Sequence, residues 1–304
     1  MKKRALFVIF SLLFTTAFAQ DEMFRVLASK GTNKVVSGNS SEWKSVGPGK
    51  KLFKDDKISI DENGYLALAH KNGKTMELKK AGIYEVSKLN SELASQNSSV
   101  TKKYVDYIAG EMTNTGGENM SENRKKYMNV TGSVDRGIGD VKLMAFKETV
   151  VLNGITTLRW APTENVKVYQ VTIMNMFDEP VYTTETSETF ITVDLSKLGI
   201  KKDRVLSWHV KDKASDKKSD KYSLKYISEE KEQKINADLK ELKANLSDET
   251  AINKMILASY FEENNLYLNA LENYESAKKL QPDVEEFKET YELFSKWLIA
   301  GKQN

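Results

Sequence analysis

The chain of 304 residues has no cysteine, two histidines and four prolines. The lack of thiols excludes disulfides, thiolate nucleophiles, zinc–cysteine sites, iron–sulfur clusters and a lipid anchor on an N-terminal cysteine. Two histidines are too few for most histidine-based metal sites. The low content of proline, together with only 16 glycines, argues against a long disordered or collagen-like chain. These absences predict a folded protein with few means of building a reactive site.

Long apolar runs are also missing, except at the N-terminus. Basic residues 2–4 precede an apolar run from Ala5 to Phe14, and Ala17-Phe18-Ala19 has the small-x-small pattern of a signal-peptidase site. The run has about half of the ~20 residues that a helix needs to cross a bilayer. Residues 1–19 are therefore predicted to be a secretory signal peptide, with an uncleaved N-terminal anchor as the alternative. No transmembrane span is expected in the mature chain.

The balance of charge argues against a nucleic-acid partner. Residues 1–19 carry three of the 46 basic residues and none of the 43 acidic ones, so the remaining chain has a formal net charge of zero. A nucleic-acid-binding protein needs a sustained basic face. An exported chain without cysteine fits a bacterial periplasm better than a eukaryotic exterior, where small domains usually carry disulfides.

Residues 21–90 have the period of two that is typical of β-strands. Apolar pairs are spaced i, i+2 and separated by short turns, of which Asn72-Gly73 is a strong hairpin signal. We predict a small all-β barrel or roll. The pairs are Ile58/Ile60, Leu66/Leu68 and Met76/Leu78.

Trp43, Gly49-x-x-Leu52, Asp55-Asp56-x-Ile58 and Asn72-Gly73 follow one another in this block. Their order resembles that of the periplasmic domain of FecR-like proteins, with Asp55 in place of a glycine and Asn72 in place of an aspartate. Both replacements are compatible with turns. The resemblance implies a sensor or interaction module and not an enzyme.

Residues 91–140 are predicted to form a helix followed by a flexible linker. Val100, Tyr104, Tyr107 and Ile108 lie on one helical stripe, whereas residues 113–118 and 121–126 are polar, with Gly116-Gly117 among them. The tyrosines of this region, including Tyr127, mark either a packing face or a ligand-stacking and docking surface. Both interpretations remain open.

The alternation of apolar and polar residues that is typical of β-strands returns in residues 141–228. Two tryptophan-bearing strands fit a β-sandwich, because large rings fill the ~10 Å gap between sheets. The segments around Trp160, Tyr169 and Trp208 resemble the fibronectin type III pattern, which implies an immunoglobulin-like sandwich. Five strands are predicted, at Leu158/Trp160, Tyr169/Val171/Ile173, Ile191/Val193/Leu195, Leu206/Trp208/Val210 and Tyr222/Leu224/Tyr226.

From residue 229 to residue 304 the period becomes 3.6, which predicts an α-helical domain. Helices are expected over about 235–246, 249–263, 267–280 and 284–300, with a capping box at Asp283-x-x-Glu286. Trp297 is expected to close the helical core.

Seven residues of the middle helix pair resemble the code of a tetratricopeptide repeat. The resemblance implies paired helices whose inner members form a concave partner-binding groove. One repeat is complete, and segments 234–246 and 284–300 are expected to act as degenerate or capping partners. The signature residues are Leu257, Ala258, Phe261, Ala270, Tyr274, Ala277 and Pro282.

No motif in the sequence predicts catalytic, cofactor-binding or metal-binding residues. Gly73-Lys74-Thr75 lacks the first glycine of a phosphate-binding loop, and Asp61-x-Asn63-Gly64 lacks the later carboxylate of a calcium loop. His209 alternates with Trp208 and is expected on the face opposite the sandwich core. Gly-x-Ser-x-Gly is absent, which disfavours a hydrolase.

These features favour a non-enzymatic periplasmic adaptor that binds other envelope proteins. The expected partner is an outer-membrane or secretion complex, through which the chain would attach to the outer membrane. The alternative is a periplasmic sensor that binds a small molecule, a glycan or peptidoglycan. No cofactor is expected.

Overall fold

The computed structural model describes residues 21–38, 40–93, 99–113, 139–246 and 249–300. The predicted signal peptide and most of the predicted linker, with Tyr127, lie outside the described residues. The protein is a mixed β and α structure, in which β-sheets are followed by several C-terminal helices. None of the described helices combines the length and the apolar character that crossing a bilayer requires.

The first module consists of two antiparallel four-stranded sheets. Phe24, Leu66 and Leu68 of one sheet meet Ile58 of the other in a continuous apolar cluster, which helix α1 (Val86–Leu93) closes. The sheet orders are β4-β1-β6-β7 and β3-β2-β5-β8, with strands β1 (Glu22–Lys30), β2 (Lys34–Val36), β3 (Lys44–Ser45), β4 (Lys51–Phe53), β5 (Lys57–Ile60), β6 (Tyr65–His70), β7 (Thr75–Leu78) and β8 (Gly82–Glu85).

Strand β6 is buried on both faces. Leu66 and Leu68 point into the first module, whereas Ala67 and Ala69 belong to a second core that contains helix α2 (Ser99–Thr113). Alanines leave room for a helix to lie close to a sheet, so α2 packs on β1 as well. The predicted helix of residues 91–140 is thus part of the core.

The second module is a sandwich with a five-stranded and a two-stranded sheet. Trp160 and Trp208 are fully buried in its core. The structure contains the five predicted strands and two more, β9 and β12. The orders are β12-β11-β14-β15-β9, in which β15 and β9 are parallel, and β10-β13, with strands β9 (Glu148–Val151), β10 (Ile155–Arg159), β11 (Tyr169–Met174), β12 (Pro180–Thr186), β13 (Phe190–Asp194), β14 (Val205–Asp212) and β15 (Tyr222–Tyr226).

Four C-terminal helices lie between the two β modules, although they come last in the sequence. Helix α4 contacts β7 of the first module, and helix α5 contacts β9 and β10 of the sandwich. Trp297 is fully buried against Phe146, with ring centroids 4.5 Å apart, and so joins the helices to the segment that precedes β9. The helices are α3 (Glu229–Asn245), α4 (Ala251–Glu263), α5 (Tyr267–Leu280) and α6 (Glu285–Ala300).

The predicted capping box at the start of α6 is not formed. The Asp283 carboxylate instead makes an ion pair with Lys30 of β1, at 2.7 Å. The carboxyl of Glu286 is largely buried, and the backbone N–H of Ser29 in β1 is one of the groups that act on its pKa. Residues with the right spacing for a local cap therefore make contacts between modules.

A buried carboxylate also connects β7 to the N-terminus of α4. The Glu77 side chain, only 2 % exposed, accepts hydrogen bonds from the Tyr65 hydroxyl at 2.7 Å and from the backbone N–H of Ile252 at 3.0 Å. Ile252 lies in the first turn of α4, where backbone N–H groups lack helical partners and a negative charge is favoured. Glu77 therefore acts as a helix cap supplied by another module.

Replacing Glu77 tests this connection. Glu77→Ala leaves a buried hydroxyl and a helix N–H without their acceptor, so we expect the free energy of unfolding to fall by about 2–3 kcal/mol. Urea unfolding followed by circular dichroism measures the change. The exposed Glu62→Ala serves as the control and should stay within about 0.5 kcal/mol of the parent protein. Equal effects of the two substitutions would contradict the cap.

Glu286, at the contact between α6 and β1, makes the stability of the fold depend on pH. Burial raises the pKa of its carboxyl above 4.5, and the N–H groups of Glu286 and Ser29 offset this only in part. A carboxyl with a raised pKa in the folded state contributes stability below pH 4.5 and loses it as the pH rises through the folded-state value.

Glu286→Gln should remove the contribution of this carboxyl to the pH dependence of folding stability. We expect the difference in melting temperature between variant and parent to increase in favour of the variant from about pH 4 to about pH 8. Glu292→Gln, at an exposed position of the same helix, is the control. Parallel pH profiles for Glu286→Gln and the parent protein would show that the prediction is wrong.

Candidate functional site

The structure places the repeat signature within the packing of α4 and α5. Ala270 and Ala277 are fully buried, which allows the close approach expected of small residues, and the Tyr274 hydroxyl donates a hydrogen bond to Glu262 of α4. Leu257, Ala258 and Phe261 are buried as well, whereas Pro282 is exposed after α5. These side chains build the helix pair and leave no groove of their own.

The inner helix of this pair is not free to bind a partner. Eleven of the thirteen residues of α4 are buried. Helix α2 packs along it, and the rings of Tyr104 and Tyr260 meet edge to face with centroids 5.6 Å apart. The surface that the repeat resemblance assigns to a partner is thus covered by this chain's own helix.

A cavity of 370 Å³ remains where α2 passes the junction of α4 and α5. Tyr104 and Tyr107, which the sequence left open as packing or docking residues, both line it. Helix α2 provides one wall, and the end of α4 with the start of α5 provides the other. Other lining residues are Lys103, Glu262, Glu263 and Tyr267.

Several carboxylates of the described residues act on the tyrosine hydroxyls at the cavity. Burial raises the pKa of the Tyr107 hydroxyl, and the charges of Glu262, Glu111 and Glu263 raise it further. The pKa of the Tyr104 hydroxyl is raised as well, with burial as the main cause and the Glu263 carboxylate as the next. The rings are therefore protonated phenols in an acidic setting.

Lys103 supplies positive charge at the rim. Its ammonium group makes an ion pair with Glu263 and lies 5.2 Å from the centroid of the Tyr104 ring. Both side chains of the ion pair are about half exposed, at 60 % and 47 %. At the rim, an ammonium group is thus paired with a carboxylate and lies near an aromatic ring.

A smaller cavity of 170 Å³ lies between β1, β6 and α2. Its charges pair with one another, since Arg25 lies 2.9 Å from Glu22 and Lys102 lies 2.7 Å from Asp106. His70 also lines it, but the imidazole contacts Asn90 and Phe24. This cavity is explained by packing of α2 on the first module.

Neither histidine lines the larger cavity. His209 is half-buried on the outer face of the sandwich, next to Thr172, and burial with three nearby lysines lowers its pKa. Ser259 lines the cavity, but its hydroxyl donates to the Met255 carbonyl. Within the described ranges no group of three histidine or acidic side chains is placed to hold a metal ion.

The sandwich carries a second feature that the sequence did not single out. Met176 and Phe177 form the tip of the β11–β12 hairpin and are 76 % and 74 % exposed. The Asn175 side chain accepts hydrogen bonds from the N–H groups of Phe177 and Glu179, at 2.9 and 3.1 Å. A hydrogen-bonded turn therefore presents two adjacent apolar side chains to solvent.

Comparisons with known proteins give no assignment. A search against protein-family models and a search against curated proteins both return no match. The function therefore has to be inferred from the geometry.

The tyrosine cluster at the cavity can be tested by titration. Burial raises the pKa of Tyr260 to about 12, and those of Tyr104, Tyr107 and Tyr274 also lie above 10. We expect ultraviolet absorbance at about pH 11 to show fewer ionised tyrosines in the folded protein than in the protein unfolded in guanidinium. Stability should correspondingly fall as the pH rises above about 10. Equal ionisation of both states at that pH would contradict the burial of these hydroxyls.

Proposed function

We propose that the protein is a non-enzymatic periplasmic adaptor that binds another envelope protein. Its parts would be a FecR-like domain (21–90), a fibronectin type III-like sandwich (141–228) and a tetratricopeptide-like helical domain (229–304). The seven-stranded sandwich and the α4–α5 hairpin are compatible with these resemblances. The partner would be a component of an outer-membrane or secretion complex.

The observation that carries this proposal is the apolar hairpin tip. Burying a methionine or phenylalanine side chain at an interface contributes about 1.5–3 kcal/mol. The hydrogen bonds of the turn hold its backbone in place, which limits the backbone entropy that is lost on binding. The tip therefore has the properties of an interface anchor.

The position of the tip also favours contact with another molecule. Its hairpin forms one edge of the five-stranded sheet, and β9, which contacts α5, forms the other edge. The two edges are four strand spacings apart, which is a distance of about 19 Å. The tip is thus well separated from the sheet edge that is engaged by the helices.

A photocrosslinking amino acid at position 176, introduced into cells of the source organism, tests the adaptor function. We expect one stoichiometric protein adduct, and we expect Phe177→Ser to reduce it at least about tenfold by removing half of the apolar anchor. The crosslinker at the exposed Thr183 of β12 serves as the control and should give no such adduct. Because Phe177 is exposed, its replacement should leave the melting temperature nearly unchanged. An adduct that is insensitive to Phe177→Ser, or no adduct, would contradict the proposal.

The cavity favours a second candidate function, the sensing of a small ligand. Its volume of 370 Å³ falls in the range of small-molecule sites, and aromatic and charged side chains meet in it. A ligand that binds only the folded state raises the melting temperature by mass action. A thermal-shift screen that finds no ligand would contradict the sensing function and leave the adaptor function as the remaining candidate.

A further inference from the structure

We propose that the outer face of the five-stranded sheet binds a phosphate group, either of a free phosphate ester or of a lipid headgroup. The proposed site consists of three lysines around one histidine, and we call it the lysine cluster. Its residues are Lys211, Lys218, Lys221 and His209. The inference goes beyond the adaptor function and beyond the cavity, and it depends on neither.

The register of the strands brings the residues of the lysine cluster together. His209 and Lys211 lie two residues apart on β14 and alternate with buried residues, so both side chains point to the outer face. Lys218 forms an isolated antiparallel bridge with Lys211. Lys221 directly precedes β15 and continues its register with β14, which brings it next to His209. Directly paired residues of neighbouring strands have Cβ atoms about 5 Å apart, so the three lysines border the histidine.

The three lysines also act electrostatically on the histidine. Burial lowers the pKa of His209 below 6.5, and the positive charges of the three lysines lower it further. An anion bound among the lysines would offset this repulsion and favour the protonated imidazole. Binding of an anion and protonation of His209 are therefore expected to be coupled.

Two carboxylates near the lysine cluster already have ammonium partners. Asp178 of the hairpin tip pairs with Lys221 at 2.8 Å, and Glu185 of β12 pairs with Lys213 at 2.6 Å. A third carboxylate, that of Asp212, belongs to a residue buried on the core side of the sheet and accepts a hydrogen bond from the Ser215 hydroxyl. These acidic groups therefore neutralise the lysine cluster only in part.

Two lysines of the cluster keep an uncompensated charge. Lys211 and Lys218 form no ion pair within the ranges that the structure describes. A phosphate monoester carries about two negative charges near pH 7, whereas a carboxylate carries one. Lysine binds phosphate as a point charge. Two free ammonium groups next to an imidazole thus suit a phosphate monoester better than a carboxylate.

Nuclear magnetic resonance is the direct test, because the chain has only two histidines. We expect saturating glycerol 3-phosphate to raise the measured pKa of His209 by at least about 0.5. The imidazole resonance of His70, in the first module, is the internal control and should not shift when the ester is added. Sodium acetate at the same ionic strength is the second control, since screening of the lysines alone also raises this pKa. An equal rise in acetate would overturn the inference.

Lys211→Gln combined with Lys218→Gln tests which groups hold the ester. Without the ester, this double variant should have a higher His209 pKa than the parent protein, because two repelling charges are removed. It should also bind the ester at least about fivefold more weakly. Neither lysine is buried, so the melting temperature should stay close to that of the parent protein.

Lys201→Gln is the matched control for the double variant. Lys201 is exposed in the loop before β14, and its replacement should change neither the His209 pKa nor the affinity for the ester. An unchanged ester affinity in the double variant would overturn the proposed site.

Cosedimentation with lipid vesicles distinguishes the two sources of the phosphate group. Vesicles of phosphatidic acid mixed with phosphatidylcholine present phosphate monoesters, and pure phosphatidylcholine vesicles are the control. Cosedimentation with the phosphatidic acid vesicles that the double variant loses would identify a lipid headgroup. Binding of glycerol 3-phosphate without such cosedimentation would identify a free ester. If neither is bound, the inference is wrong, and the adaptor proposal is unaffected.

Discussion

Burial of helix α4 on nearly all sides is the constraint on which the arrangement of the modules depends. Its N-terminus is capped by Glu77 of the first module, α2 covers one side of it, and the Tyr260 hydroxyl donates to the Ile235 carbonyl of α3. Helix α5, which packs on the sandwich, covers a further side. An apolar helix of this kind is stable only when its neighbours are in place. The helices therefore complete their core with elements from earlier in the chain.

Local patterns in the sequence predicted most of the elements, and their failures have physical causes. The strand Tyr65–His70 was recognised from Leu66 and Leu68 alone, although its run of apolar residues is typical of a strand buried on both faces. Strand β12 was missed because an exposed edge strand needs no apolar alternation. Asp283 and Glu286 have capping-box spacing, but contacts with Lys30 and Ser29 prevail, and these depend on tertiary structure.

The candidate sites were predictable only in part. The sequence offered two interpretations of Tyr104 and Tyr107, a packing face or a docking surface. In the structure the Tyr104 ring packs against Tyr260, and both tyrosines line the cavity. Glu263 lies 160 residues from Lys103, so no local pattern could pair them. The sequence does contain a feature that predicts the hairpin tip, because Met176 and Phe177 lie between residues that favour turns. Two adjacent apolar residues in an exposed turn do not pack in the core, and they therefore favour contact with another molecule.

Helix α2 connects the cavity with the interface of the first module. One face of α2 lies on the alanines of β1 and β6, and the face with Tyr107 lines the cavity. A ligand that contacts both α2 and the α4–α5 junction binds only when these elements are assembled, so it adds its binding free energy to the association of the modules. The hairpin tip, at the other edge of the sandwich sheet, takes no part in this linkage. Ligand binding and partner binding would therefore be separable functions within one folded chain.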